Sequence, residues 1–180
     1  KLLLCVALAT TSAGLLLQLA RPGGRGGNWS AVAWVLPLLL ALAVGIELAV
    51  LPQAQWWEAA RGSNATWCLR YIPMLAIAPL LAALWTLRQA APSRPVLAGA
   101  VAGLLSSGIA GALYAIHCTD DSPLFVAIWY VLAAAVVTLL GALLVTLVIF
   151  LFMHSLIQRG KEEGVPLIVY RDVQIVPPRQ

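Results

Sequence analysis

The stretch VLAGAVAGLLSSGIAGALYAI, from Val96 to Ile116, decides the fold because it carries no charged residue and is long enough to cross a membrane. A helix needs roughly 20 apolar residues to cross about 30 Å of hydrocarbon. Backbone polar groups cannot stay unpaired in lipid, and the stretch lacks the alternation of a barrel strand, so it is predicted to be a helix. Similar runs lie on both sides of it: Leu2 to Ala20, Trp29 to Leu51, Trp67 to Leu87, and Pro123 to about Phe152.

The composition agrees with a membrane protein. Hydrophobic residues make up 62% of the 180 residues and charged residues only 10%, which leaves too little polar surface to cover a water-soluble domain. The sequence therefore predicts an all-α, polytopic transmembrane bundle over residues 1–153, with five spans in a lipid bilayer, and a cytoplasmic tail over residues 154–180. The net charge of +4 comes from short loops beside the spans, so we interpret it as a topology signal and not as a nucleic-acid site.

The loop charges predict which way the helices run. Basic residues follow the first, third and fifth spans: Arg21, Arg25, Arg88, Arg94, Arg159 and Lys161. The positive-inside rule assigns that side to the cytoplasm of a bacterial inner membrane. The end carrying Lys1 is then periplasmic and the C-terminus cytoplasmic. Five spans with a cytoplasmic C-terminus place the start of this sequence in the periplasm. We therefore expect a sixth, earlier span in the intact protein.

Two features inside the spans concern helix contacts. A stripe of small residues at four-residue spacing is typical of close helix packing, and it consists of Gly99, Gly103, Ser107 and Gly111. Glu47 and Arg70 lie at similar depth in consecutive spans, so an intramembrane ion pair between them is predicted. A purely orienting role near the interface is the alternative for that pair.

The outer ends of the third and fourth spans carry the candidate chemistry. Cys68 opens one span and Cys118 closes the other, at the same predicted membrane depth. In an oxidising compartment the pair could form a disulfide or stay reduced as an oxidant-sensitive or soft-metal site. His117 and Asp121 add further ligand types, so a transient heavy-metal ion is the one cofactor considered, against a loop that is merely capped by Asp120 or Asp121. Cys5 is interpreted as a small buried hydrophobe.

The chain shows no pattern typical of an enzyme. It has no CxxC, no serine, histidine and acid set, no carboxylate pair at the membrane centre and no phosphate-binding glycine loop. We therefore predict a protein that is not an enzyme.

Several motifs, taken together, resemble the NrsF family. They are Trp67-Cys68; Ala91-Pro92-Ser93-Arg94-Pro95 with Leu97 and Gly99; the stretch YAIHCTDDSPLF from Tyr114 to Phe125; Trp129-Tyr130; and Leu139-Leu140-Gly141-Ala142-Leu143. The resemblance covers about residues 2–144, and its most specific part begins at His117-Cys118. The NrsF family consists of six-helix inner-membrane anti-sigma factors, which are negative regulators of the extracytoplasmic-function sigma factor F.

The resemblance implies a function and a partner. The expected function is to sequester an extracytoplasmic-function sigma factor and to release it under heavy-metal or oxidative stress, sensed by periplasmic cysteines at the positions of Cys68 and Cys118. The family's sigma-binding N-terminal segment is not matched in this chain, and neither is the C-terminal part, where Val165 to Tyr170 suggests an extended arm. The alternative is an accessory subunit of a larger membrane complex, in which the cysteines form a static disulfide.

Overall fold

The computed structural model of the chain describes residues 1–21, 27–90 and 92–162, and the regular structure in these residues is entirely helical. The predicted fold class, an all-α bundle with long apolar helices, is confirmed. The long helices are α1 (Leu2–Leu19), α2 (Gly27–Val50), α4 (Ala65–Ala90), α5 (Pro95–His117) and α7 (Val131–Glu162). Short elements lie between them: a 3₁₀ turn (Gln53–Gln55), α3 (Trp56–Arg61), α6 (Pro123–Phe125) and a π-helical segment (Val126–Tyr130).

The helices have the length and surface of membrane spans. Among the described residues, four helical segments are long and apolar enough to cross a membrane, namely Leu2–Leu19, Gln53–Arg88, Pro95–His117 and Pro123–Ser155, and the apolar helix Trp34–Val50 is shorter. Large apolar side chains such as Leu3, Trp34 and Trp85 lie exposed on these helices. A lipid environment solvates such surfaces without the cost that water would impose.

The chain forms two compact units, Lys1–Thr146 and Leu147–Gln180. In the first unit α5 is the central helix, since it packs against both α1 and α4. Its buried residues are mostly small: Ala98, Gly99, Val101, Ala102, Gly103, Ser106, Ser107, Gly108, Ala110, Gly111, Tyr114 and Ala115. Small side chains allow neighbouring backbones to approach closely, which is how helices associate in lipid.

Glycines of α5 lie against two different helices. A Cβ added at Gly103 would lie 2.6 Å from the Cα of Thr138 in α7, and one added at Gly99 would lie 2.6 Å from the carbonyl oxygen of Gly141. Gly108 faces α1 instead, where an added Cβ would lie 2.7 Å from the backbone nitrogen of Ala9. At each of these positions the helix axes are too close together for a side chain.

In the second unit, the described residues continue α7 as far as Glu162. The predicted tail from residue 154 therefore begins as helix, and the His154 ring stacks on Phe150 with 6.5 Å between ring centroids. Residues 163–180, including the extended arm predicted at Val165 to Tyr170, lie outside the described residues.

Candidate functional site

The candidate site lies at one end of the first unit, where α5 ends and α6 begins. We call this end the polar rim, and it is formed by Lys1, Glu47, Ser63, Asn64 and the loop from Cys118 to Ser122. Lys1 Nζ donates a hydrogen bond to the Cys118 carbonyl oxygen and another, of 3.2 Å, to that of Asp120. Lys1 also forms an ion pair with Asp121, with 2.6 Å between Nζ and Oδ1. The loop is thus joined to the start of α1.

Asp120 joins the same loop to the start of α4. Its Oδ2 accepts from the backbone N–H of Asn64 at 2.8 Å and from that of Ser63 at 3.1 Å, and both side chains donate to the carboxylate as well, each at 3.1 Å. Burial by itself raises the pKa of Asp120, but the hydrogen bonds from Asn64 and Ser63 outweigh it and lower that pKa below its ordinary value. Asp120 therefore serves as an ionised clamp on the residues that precede α4.

Glu47 joins the loop to α2. Its Oε1 accepts from the Ser122 hydroxyl at 2.7 Å, and its Oε2 accepts from the backbone N–H of Leu124, also at 2.7 Å. Among the described residues the only ion pair is that of Lys1 with Asp121, so the structure does not bring Glu47 and Arg70 together as predicted. The physical reason is that the first N–H groups of a helix have no partner within it and attract a carboxylate strongly.

The three cysteines are all buried beneath the polar rim, and all three are free thiols. Cys68 is fully buried, and it belongs to the same buried cluster as Cys118 and Cys5. The structure therefore groups the two predicted sensing residues but does not join them by a disulfide. The backbone N–H of Cys68 donates to the carbonyl oxygen of Asn64, the residue that Asp120 holds.

Cys5 is buried in the same cluster as Cys68 and Cys118, although the sequence indicated only a packing role for it. Its Sγ is 3.1 Å from the position that a Cβ on Gly111 would occupy, so the small residue of α5 makes room for the thiol. The available signal was its position one turn into the first span, at the same end of the bundle as Cys68 and Cys118.

His117 and Asp121 lie at the surface of the rim. Both side chains are exposed, and Asp121 pairs with Lys1, whose hydrogen bond and charge lower the pKa of the carboxyl group. In the part of the chain that the structure describes, no three His, Cys, Asp or Glu side chains are grouped so that they could hold a metal ion. The predicted ligand types are thus present at the rim without converging on one point.

Aromatic rings form a continuous series beside the thiols. Trp67 stacks on Tyr71 with 5.5 Å between ring centroids, Tyr71 stacks on Tyr114 at 6.3 Å, and Tyr114 lies 6.1 Å from Tyr130. Phe125 meets the edge of Tyr130 at 6.3 Å. We call Trp67, Tyr71, Tyr114 and Tyr130 the aromatic chain.

The π-helical segment explains why Phe125 and Tyr130 both point inward. Residues five apart in a regular α-helix lie about 140° apart around the axis. The wider i to i+5 turn from Val126 to Tyr130 brings them to one face, and both are buried. Tyr130 also lines a cavity of about 50 Å³ together with Cys5 and Ser107.

The small-residue stripe does not lie on a single partner. Gly99 and Gly103 contact α7, Gly111 contacts Cys5 of α1, and Ser107 is buried and donates to the carbonyl oxygen of Leu104 in its own helix. The stripe therefore turns from one neighbouring helix to another along α5.

Comparisons with known proteins agree with the resemblance predicted from the sequence motifs. The family model NrsF, described as negative regulator of sigma F, matches residues 1–149. A protein of Azospira oryzae named as a probable anti-sigma-F factor NrsF is 34% identical over 140 residues, which cover 76% of this chain and 64% of the relative. The anti-sigma-F factor NrsF of Caulobacter vibrioides is 34% identical over 125 residues, covering 69% of this chain and 58% of that protein.

The matched part spans roughly three fifths of the length of these two relatives. No solved structure matches the chain. The family match covers most of the residues that the structure describes, including the whole polar rim and all three cysteines. The chain therefore belongs to the NrsF family of negative regulators of sigma F.

Proposed function

We propose that this chain belongs to an inner-membrane anti-sigma factor that holds an extracytoplasmic-function sigma factor inactive and releases it when Cys68 and Cys118 are oxidised or bind a heavy metal. The observation that carries the proposal is the burial of these two thiols in one cluster, directly beneath a rim of hydrogen bonds. The relatives' names support the sigma-factor partner. Family membership favours this regulator over an accessory subunit of a larger complex.

In this proposal the polar rim faces the periplasm. Arg21 follows α1, Arg88 lies in the last turn of α4 and Arg94 precedes α5, so these basic residues lie at the helix ends opposite to the rim. The positive-inside rule then assigns that opposite end to the cytoplasm, where a sigma factor is found. The thiols would then lie at the periplasmic face of the membrane, which is the oxidising side.

The rim supplies a route from the thiols to the helices. A disulfide needs its two Cα atoms about 4.4–6.8 Å apart, so closing one constrains the backbone at both cysteines. Cys118 opens the loop that carries Asp120, and Cys68 is hydrogen-bonded to Asn64, which Asp120 clamps. A bond or a metal between the thiols would therefore shift the start of α4 relative to the end of α5, and tilt of these helices would alter the cytoplasmic surface.

The test is transcription from a sigma-dependent reporter in cells that carry the intact gene with Cys68→Ser, Cys118→Ser or both. We expect the reporter to stay silent in cadmium or dichromate for each variant, while the parent responds. Cys5→Ser is the matched control, because it removes a buried thiol from the same end of the bundle and leaves both proposed sensing residues unchanged. An unchanged response in the double variant would refute the sensing role.

A further inference from the structure

The burial of the thiols poses a chemical problem for any sensor built on them. Cys68 is 0% exposed and Cys118 is 7% exposed, so a hydrated oxidant has no direct access to Cys68 and little to Cys118. A thiol buried among apolar groups also stays protonated, and the protonated thiol is a poor nucleophile. Oxidation through attack by a thiolate is therefore disfavoured at this site.

The aromatic chain connects this buried site to the surface. Trp67 and Tyr71 are 49% and 41% exposed, whereas Tyr114 and Tyr130 are 6% and 5% exposed. Successive ring centroids are 5.5, 6.3 and 6.1 Å apart, which places neighbouring rings in or close to van der Waals contact. The series therefore runs without a gap from the outer surface of α4 into the core.

The inner end of the chain reaches the thiols. Tyr114, Cys68 and Cys118 belong to one buried cluster, and the backbone N–H of Cys118 donates to the carbonyl oxygen of Tyr114 at 3.0 Å. The Tyr130 hydroxyl lies beside the Cys118 thiol. Among the described residues that hydroxyl has no conventional hydrogen-bond partner, although it is buried. A buried, unpaired hydroxyl costs free energy, so such a group calls for a functional explanation.

We propose that the aromatic chain carries oxidation from the surface to Cys68 and Cys118, so that a one-electron oxidant forms a disulfide it never touches. This proposal rests on the sensing function proposed above. The signal is then a one-electron oxidant, such as a high-potential metal complex or a peroxyl radical.

Oxidation begins at Tyr71, the exposed tyrosine of the aromatic chain. Tyr71 gives an electron to the oxidant and its phenolic proton to interfacial water, and it becomes a tyrosyl radical. Trp67 enlarges the exposed aromatic surface that the oxidant can contact. A hydrogen atom then moves outward from Tyr114 to Tyr71, and another moves from a thiol to Tyr114, which leaves a thiyl radical and restores both phenols. A second equivalent produces a second thiyl, and the two couple. In total two thiols and two oxidant molecules give one disulfide, two protons and two reduced oxidant molecules.

The test uses the whole chain in liposomes with a photogenerated, membrane-impermeant ruthenium(III) tris-bipyridine oxidant outside. The rate at which Cys68 becomes linked to Cys118 is measured by alkylation and mass spectrometry. We expect Tyr114→Phe and Tyr71→Phe to lose most of the fast linkage, because phenylalanine keeps the packing but has no phenolic hydrogen to pass on. Trp57→Phe is the matched control, since it removes an oxidisable indole that is exposed near the rim but lies outside the aromatic chain, and its rate should equal that of the parent.

Diamide separates failure of this route from failure of the sensor. It is membrane-permeant and reacts with the thiols whenever local opening of the rim exposes them, so over hours it should link the cysteines equally in the parent and in every tyrosine variant. Equal ruthenium-driven rates in Tyr114→Phe and the parent, with diamide effective in both, would overturn the aromatic route and leave the sensor intact. Failure of both oxidants to link the thiols in the parent would overturn the aromatic route together with oxidative sensing, and the cadmium arm of the reporter experiment tests metal binding separately.

A second measurement detects the radical itself. In Cys68→Ser/Cys118→Ser no thiol can donate the last hydrogen atom. The radical should therefore accumulate on tyrosine and give a tyrosyl signal in electron paramagnetic resonance. The signal should fall sharply when Tyr71→Phe is added, because the exposed tyrosine that the oxidant reaches first is then lost. A signal unchanged by Tyr71→Phe would place the radical elsewhere and contradict the route.

Discussion

The polar rim and the glycine contact between α5 and α7 hold the same unit together by opposite means. At the rim, charged and polar groups such as Glu47 and Asp120 join helix ends through hydrogen bonds. At the glycine contact, which consists of Gly99, Gly103 and Gly141, backbone meets backbone. Even the hydroxyl of Thr138 there donates to its own helix, at Ala134, and not across the contact.

The difference indicates which part can move. Hydrogen bonds at the rim lie beside water, and exchanging them for bonds to water costs little, about 1 kcal/mol each. A close-packed contact cannot open without losing many dispersion contacts at once. We therefore expect a change at the thiols to rearrange the rim while the glycine contact stays closed and acts as a pivot.

The largest effect is expected at the pivot. Gly103→Ala places a Cβ 2.6 Å from the Cα of Thr138, so the helices must separate, and we expect a loss of about 3 kcal/mol in the free energy of unfolding. Gly45→Ala is the matched control, because nothing lies within 4 Å of the added atom. Alanine there should stabilise the helix by up to ~1 kcal/mol. Unfolding by SDS in mild detergent, followed by circular dichroism, measures both, and equal effects would refute the pivot.

The pivot also shows what sequence could predict. Uncharged apolar runs predicted the helices because lipid leaves the backbone no other choice, and glycine spacing predicted that α5 makes close contacts. The rim could not be predicted, since its bonds join Asp120 to Ser63 and Glu47 to Ser122, residues that are distant in the chain. Glu47 and Arg70 were predicted to pair because they lie at similar depth in the membrane. Depth alone does not show that the start of α6 lies within hydrogen-bond distance of Glu47.

Two further features of the site have no signature in the sequence. The π-helical segment from Val126 to Tyr130 reads as ordinary apolar helix, although it turns Tyr130 toward the thiols. Cys5 reads as one more apolar residue of α1, and only the packing of α1 on α5 brings it to Gly111. Tertiary contacts, and not local propensity, place both residues in the site.

A smaller effect is expected at the rim from Asp120→Ala. The change removes every acceptor for the backbone N–H groups of Ser63 and Asn64, and losing such a helix-start acceptor costs about 1–2 kcal/mol. In cells, we expect the loosened rim to raise reporter transcription without any inducer. Thr119→Ala is a control in the same loop that keeps the carboxylate. A silent, fully stable Asp120→Ala variant would show that the rim does not restrain the helices.

The smallest effect is the pH dependence of the rim. Hydrogen bonds from Asn64 and Ser63 hold the pKa of Asp120 below its ordinary value of 3.8, so the folded state favours the ionised form. The resulting stability is fully present above pH 3.8 and is lost as the pH falls through the lower, folded-state pKa. In thermal unfolding scans, Asp120→Asn should therefore lose less stability than the parent between about pH 5 and pH 2. Asp121→Asn tests whether the exposed neighbour produces this slope instead, because its carboxyl is held only by Lys1 at the surface. If Asp121→Asn flattens the profile as much as Asp120→Asn does, the clamp on α4 is not the acid-sensitive element of the rim.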